Sequence, residues 1–194
     1  MGLGKEIYKK YGINGFYVQT LFRIEPELYQ MMENTIEMGR AFIIAEYQQK
    51  PMPLFLLWKG IVHVTLRYPE YKYLMGGVSI SNQFSDFSKS LMIEFMKSHY
   101  YDPYIAQYIY PKKEYKVKLK DADKDFVFDA TQADMQKFDK IIDEIEPGAL
   151  RIPVLIKKYV KQNARLVAFN VDPKFNNAID GLMYIKVSDI PDST

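Results

Sequence analysis

The chain has no cysteine. That absence removes disulfides, thiolate nucleophiles and cysteine-based zinc sites together, and it fits a reducing compartment. Long hydrophobic runs are missing as well: none approaches the ~18 apolar residues of a membrane span. Met1-Gly2-Leu3-Gly4-Lys5 holds no apolar signal region, so a cytoplasmic location is expected and any membrane contact is expected to be peripheral. Neither sign of charge is in excess. With 26 Lys and Arg against 24 Asp and Glu, the formal net charge is +2, which makes no global electrostatic case for nucleic acid. Histidine is scarce. His63 and His99 are the two present, neither with acidic partners at metal-ligand spacing, so no metal site is expected. A Ser-His-Asp hydrolase finds no Gly-x-Ser-x-Gly elbow.

What is present suits an ordinary folded domain. The 194 residues are 48% apolar and 26% charged, long enough to bury a real core and expected to form a single domain, residues 1–194. Tyrosine leads the aromatics, 16 Tyr beside 12 Phe, which suits a core or pockets that are half wet.

Periodicity divides the chain into elements. Lys5 to Tyr11 reads as a short helix stopped by Gly12. Phe16 to Arg23 reads as a strand, because Phe16, Val18, Thr20 and Phe22 alternate with Tyr17, Gln19, Leu21 and Arg23. Pro26 to Glu33 fits a brief helix with proline in its first turn. Arg40 to Ala45 reads as a strand buried on both faces, from its almost unbroken apolar run. Pro51 and Pro53 open a helix carrying Leu54, Leu57, Trp58 and Ile61 at helical spacing, ended near Pro69.

Tyr71 to Val78 gives another strand. Ser85 can cap the next helix, whose stripe is Phe87, Leu91, Met92 and Phe95. Glu114 to Lys124 reads as a solvated edge strand or hairpin. Thr131-Gln132-Ala133-Asp134 is a capping arrangement for a helix buried through Phe138, Ile141, Ile142 and Ile145, which Glu146-Pro147-Gly148 stops. Pro153 starts a further helix, with Ile152, Leu155, Ile156, Tyr159 and Val160 on one face. Arg165 to Val171 and Leu182 to Val187 are the last strands. Such an order indicates an α/β or α+β fold, a mixed central sheet flanked by helices.

Several landmarks then form a familiar series: Glu37-Met38-Gly39-Arg40, Leu57-Trp58-Lys59-Gly60-Ile61, and Tyr73-Leu74-Met75-Gly76-Gly77-Val78-Ser79-Ile80-Ser81. Downstream lie Ile152-Pro153-Val154-Leu155-Ile156-Lys157-Lys158-Tyr159 and Asn170-Val171-Asp172-Pro173-Lys174-Phe175. From about Gly15 to Asp192 the chain resembles the bacterial N-acyltransferases that make ornithine and glycine lipids, often labelled "putative hemolysin". Those have a GNAT-like fold akin to acyl-homoserine-lactone synthases, with which they share a Glu-x-x-Arg element.

The resemblance implies transfer of a fatty acyl group, usually 3-hydroxylated, from acyl carrier protein (or coenzyme A) to the α-amino group of an amino acid. It implies no tightly bound cofactor and no metal. Glu37 would accept the ammonium proton or help hold the acceptor, and Arg40 would grip a carboxylate, with Gly39 hosting a bulge that turns both side chains to one side. Gln48, Gln49 and Lys50 stand where the family carries a glycine-rich pyrophosphate loop. Lacking glycine, they point to a carrier-protein donor whose single phosphodiester would meet the N-terminus of the following helix. Ser79, Ser81 and Asn82 fall where the family holds the thioester between splayed strands, and would bind pantetheine or the oxyanion. Lys157, Lys158, Lys161 and Arg165, with Lys112 and Lys113, would assist docking on an acidic carrier protein or on the inner face of the cytoplasmic membrane.

The family's opening strands find no match, so the chain is expected to be the C-terminal portion of a longer protein, with exposed edges that favour homo-oligomers. Two rival readings accompany this one: a non-catalytic module binding acyl chains or a carrier protein, and an acyl-homoserine-lactone-type synthase using S-adenosylmethionine.

Overall fold

The computed structural model describes residues 1–48, 50–120, 134–146 and 150–191. In chain order its strands are β1 (Gly2–Leu3), β2 (Phe22–Ile24), β3 (Thr35–Glu37), β4 (Tyr73–Ile80), β5 (Ile109–Pro111), β6 (Arg165–Asp172) and β7 (Ala178–Lys186). The helices are α1 (Gly4–Tyr11), α2 (Tyr29–Glu33), α3 (Pro51–Arg67), α4 (Asp86–Tyr100), α5 (Pro103–Ala106), α6 (Met135–Ile145) and α7 (Val154–Lys161). Five strands form one sheet in the order β1-β3-β4-β7-β6, and β2 pairs with β5 in a second. β3 and β4 run parallel, with α3 in the crossover between them, while the other pairs are antiparallel.

Side-chain alternation gives the large sheet two apolar faces, each with its own cover. Leu74, Val78 and Ile80 of β4 join Ile179, Met183 and Ile185 of β7 against Leu91, Met92, Phe95 and Met96 of α4, with Phe138 and Ile142 of α6 and Ile156 of α7. Phe95 and Phe138 stack with ring centroids 3.9 Å apart. On the opposite face Met75 and Leu182 pack with Phe16, Val18, Phe22, Ile24, Leu28, Met32 and Ile109. A bulge in β6 between Leu166 and Ala168 resets the alternation, so Leu166 and Phe169 share the first face although three positions apart.

Many helix ends follow the sequence. Gly12 ends α1 at φ +63°, a conformation glycine adopts freely. The Ser85 hydroxyl accepts the Ser88 N–H, and Asp134 accepts from Gln136 and Lys137. Thr131 to Ala133 and Pro147-Gly148, also expected at helix ends, lie outside the described residues. Phe87, Ile145 and Leu155, expected on buried stripes, are exposed.

Two expected strands are not strands. Over Phe16 to Arg23 the chain makes a 3-10 turn, Tyr17–Thr20, and only Phe22–Ile24 extends. Phe16, Val18 and Phe22 are buried as the alternation required, but a carboxylate 19 residues downstream winds the backbone between them. Residues 40–45 leave the sheet altogether. Arg40 takes φ +53°, which ends the extended run, and Ile44 then accepts N–H bonds from Tyr47 and Gln48 in a short turn. Phe42 and Ile44 consequently face outward. Of Glu114 to Lys124, only the bridge Glu114–Asn170 is strand-like through residue 120, and 121–124 lie outside the described residues.

Candidate functional site

Where β3 ends, the sheet opens. β3 and β4 pair only from Thr35–Tyr73 to Glu37–Met75, and Met38 adds one N–H bond, 2.7 Å, to the Met75 carbonyl. Beyond that point β4 continues through Ile80, held on its other side by β7 alone. Backbone groups alternate along a strand. Since Met75 points its carbonyl at Met38, Gly77 and Ser79 present their N–H and C=O groups to the same side, where no strand follows among the described residues. Gly76 is required at the parting, because a Cβ there would sit 2.6 Å from the Met38 carbonyl oxygen. Gly77 meets nothing within 4 Å at its Cβ position, so it leaves open floor beside the exposed edge.

Glu37 and Arg40 flank this opening in unlike ways. Glu37 is buried, and its carboxylate accepts the N–H of Tyr17 at 3.0 Å and of Val18 at 2.9 Å. Those amides open the 3-10 turn, so both oxygens fasten that turn to β3. Arg40 is exposed, and its guanidinium lies 5.7 Å from the centroid of the Tyr17 ring. No ion pair joins Glu37 to Arg40. They meet through Tyr17, the acid holding its backbone and the base lying over its ring. Gly39 sits in open coil rather than a bulge; the left-handed turn at Arg40 sets the direction of the chain instead.

The other expected donor-binding residues are mostly tied up. Gln48 donates its side-chain amide to the Ile43 carbonyl at 2.8 Å, bracing the loop. Lys50 is the N-cap of α3, with no side-chain capping bond, and its ammonium lies 4.8 Å from the Tyr47 ring centroid. Gln49 lies outside the described residues. The expected cradle of N–H groups at this helix is thin, since Pro51 and Pro53 have no N–H to offer and Met52 is the one donor among the first three positions.

Ser79 donates its hydroxyl to Asp180 Oδ1 at 2.5 Å. Burial pushes the Asp180 carboxyl above its usual range against the Ser79 bond, and Asp172 adds to the rise. The Ser81 hydroxyl accepts the Gln83 N–H, and Asn82 accepts from the buried Lys89 ammonium at 2.9 Å. Ser81 and Asn82 thus build the turn into α4, and only Ser79 stands on the open stretch of β4.

One feature escaped the sequence reading. A cavity of about 520 Å³ lies between the loop before α3, α3 itself and α7. Its walls are chiefly apolar, with Phe42, Leu54, Leu57, Trp58 and Tyr159 prominent. Trp58 and Tyr159 meet edge to face at 6.0 Å, and burial raises the pKa of the Tyr159 hydroxyl. The apolar run Ala41 to Ile44 was the available signal, but as a supposed strand it pointed into the sheet. The basic stretch does not form one face: Lys157 pairs with Asp139 at 2.7 Å, and Arg165 donates to the His99 carbonyl. Among the described residues no group of His, Asp and Glu is placed to hold a metal ion, and no helix is long and apolar enough to cross a membrane.

Comparison with known proteins bears on the same region. Residues 3–58 match the family model described as acetyltransferase (GNAT) domain, a stretch that ends within α3. A glycine N(alpha)-acyltransferase of Bacteroides thetaiotaomicron is 29% identical over 79 residues, which cover 38% of this chain and 23% of that protein. The chain thus matches less than a quarter of the length of that curated relative. No solved structure matches it. The fold is a mixed α/β sheet flanked by helices, as expected of a GNAT-like acyltransferase. The downstream landmarks, from Tyr73 onward, lie outside the family match.

Proposed function

We propose that the chain is an N-acyltransferase that moves a fatty acyl group from a thioester donor, acyl carrier protein in preference to coenzyme A, to the α-amino group of an amino acid, in aminolipid synthesis. One observation carries this reading: the family match covers β3, the loop after it and the start of α3, the elements that border the parted strands. The likeness to a protein named for acylating glycine supports an amino-acid acceptor.

The chemistry needs no metal and no covalent enzyme intermediate. The acceptor nitrogen attacks the thioester carbonyl, a C–N bond forms, the C–S bond breaks, and the thiolate leaves with a proton that the amine has lost. Laid along the open edge of β4, the donor would place its carbonyl against the free N–H groups of Gly77 and Ser79, which suit a developing oxyanion. Arg40 is exposed and free to hold the acceptor carboxylate. Glu37, with both oxygens engaged, acts as a positioning residue that keeps Tyr17 beneath Arg40. The thin N–H cradle at α3 suits one phosphodiester better than a pyrophosphate. The apolar cavity suits a long acyl chain.

The engagement of Glu37 also favours a second reading, a binding module without turnover, since both oxygens of that acid are already held by backbone N–H groups. Incubation with 3-hydroxyacyl carrier protein, or the matching coenzyme A thioester, and glycine, ornithine, serine or lysine separates the two by mass spectrometry. N-acyl product, faster with the carrier protein, is expected. Thioester binding without product under every combination would establish the module instead.

A further inference from the structure

Helix α3 is apolar on more sides than the fold can cover. Its 17 residues hold no acidic residue, and Thr65 is the one buried position among the residues whose side chains are described. Trp58, Ile61 and Val64 lean on the core from one side. On another, Met52, Phe55 and Leu56 stand at helical spacing in solvent, followed one turn on by Lys59. The loop before the helix adds Ile44 and Phe42, the latter 78% exposed. Phe42, Phe55, Leu57, Leu155 and Lys158 border a common cavity, so loop, α3 and α7 present one continuous face.

The charge on that face is mostly positive. Lys50, Lys59, Lys158 and Lys161 have no carboxylate partner among the described residues, and α7 carries no acid. Glu46 is the lone acidic residue between Arg40 and Arg67. Large apolar side chains protruding among unpaired lysines are what an anionic lipid surface selects, the rings entering the acyl boundary while ammonium groups stay with the headgroups. A second copy of the chain would set the same lysines against each other. An acidic protein would satisfy the lysines but leave Phe42, Phe55 and Leu56 to be matched separately. At about 25 Å for 17 residues, the helix is too short to span a bilayer and fits one lying along it.

We propose that this face seats the protein on anionic bilayers, with Phe42, Ile44, Met52, Phe55 and Leu56 inserted and Lys50, Lys59, Lys158 and Lys161 at headgroup level. The proposal does not depend on the acyltransfer reading, since vesicle binding requires no turnover. The chain supplies its own probe, because Trp58 is the single tryptophan and lines the cavity beneath the face.

Vesicles of phosphatidylcholine alone and of phosphatidylcholine with phosphatidylglycerol are mixed with the full chain, following sedimentation and Trp58 emission. Binding at least about tenfold tighter to the anionic vesicles, weakened by salt and with a blue shift, is expected. The triple variant Phe42→Ser, Phe55→Ser, Leu56→Ser should lose most of that binding while keeping its circular dichroism, since the three side chains are exposed. Should it lose structure, quenching of Trp58 by bromine-labelled acyl chains in the unaltered protein gives an independent reading. No preference for anionic vesicles, undiminished binding by a folded triple variant, or absence of quenching would each overturn the proposal. So would capture of acyl carrier protein through these residues without vesicle binding.

Discussion

The carboxylate of Glu37 and the backbone of Tyr17 form a clasp across 20 residues of chain, closed at 3.0 Å and doubled by the Val18 amide beside it. It makes an end-of-strand acid structural. Glu37→Ala would leave two shielded N–H groups without acceptors, a loss of about 3 kcal/mol of stability. Glu37→Gln retains one acceptor oxygen and should lose about half as much. Urea denaturation of the three proteins measures both. A Glu37→Gln variant as stable as the parent would return the side chain to a purely chemical role.

Arg40 makes the contrasting case. Its φ of +53° is strained for a residue with a Cβ and costless for glycine, while its contact with Tyr17 is exposed and weak. The two effects offset, so Arg40→Gly should change stability by less than about 0.5 kcal/mol. Acyl transfer should fall about tenfold or more, chiefly through KM for the amino acid, as a carboxylate grip was removed. An unchanged KM would clear Arg40 of acceptor binding.

Neighbouring glycines at the parted strands should separate folding from chemistry. At Gly76 an added methyl group meets the Met38 carbonyl, backbone that cannot swing aside, and Gly76→Ala should cost about 1–3 kcal/mol. At Gly77 the space is empty, so Gly77→Ala should leave the thermal midpoint nearly unchanged. If the thioester lies along this edge, the same methyl group intrudes on the donor and transfer slows by about tenfold. Thermal unfolding and initial rates on both variants make the comparison.

These positions also show what the sequence could reveal. Strands β4 and β6 and helices α3, α4, α6 and α7 were legible because alternation or helical spacing continues over several turns and local residues such as Ser85 and Asp134 cap the ends. Residues 16–23 misled because Phe16, Val18 and Phe22 do face the core, yet Glu37 bends the chain between them. Residues 40–45 misled because an apolar run signals burial only where something covers it. Ser81 and Asn82 drew notice by position, and their turn-forming bonds appear only once α4 is in place. Glu37 and Arg40 were singled out together, but the ring that connects them, Tyr17, has no mark in the sequence.

The start of α4 should contribute to the acid limb of stability, modestly where its ion pairs are exposed. Hydrogen bonds from Lys118 and Lys89 hold the Asp86 carboxyl down at about 2. At Glu146 burial pushes upward, but hydrogen bonds from the Ser85 hydroxyl and N–H, with the Lys89 charge, keep it below its usual value. Both acids are depressed in the folded state, so their stabilisation is present above the ordinary carboxylate range and is lost as pH falls from about 5 toward 2. Asp180 has the opposite sign. Its raised pKa means that folding opposes ionisation, so its contribution is best below the ordinary range and is lost as pH rises through the folded value. Asp180→Asn, whose amide oxygen can still accept from Ser79, should therefore be more stable than the parent at pH 7, with the advantage gone by about pH 3. Asp86→Asn should lose stability at pH 7 and flatten the decline below pH 5. Denaturation midpoints taken from pH 3 to 7 test both, and a destabilised Asp180→Asn at neutral pH would show that the Ser79 bond outweighs the cost of burying the charge.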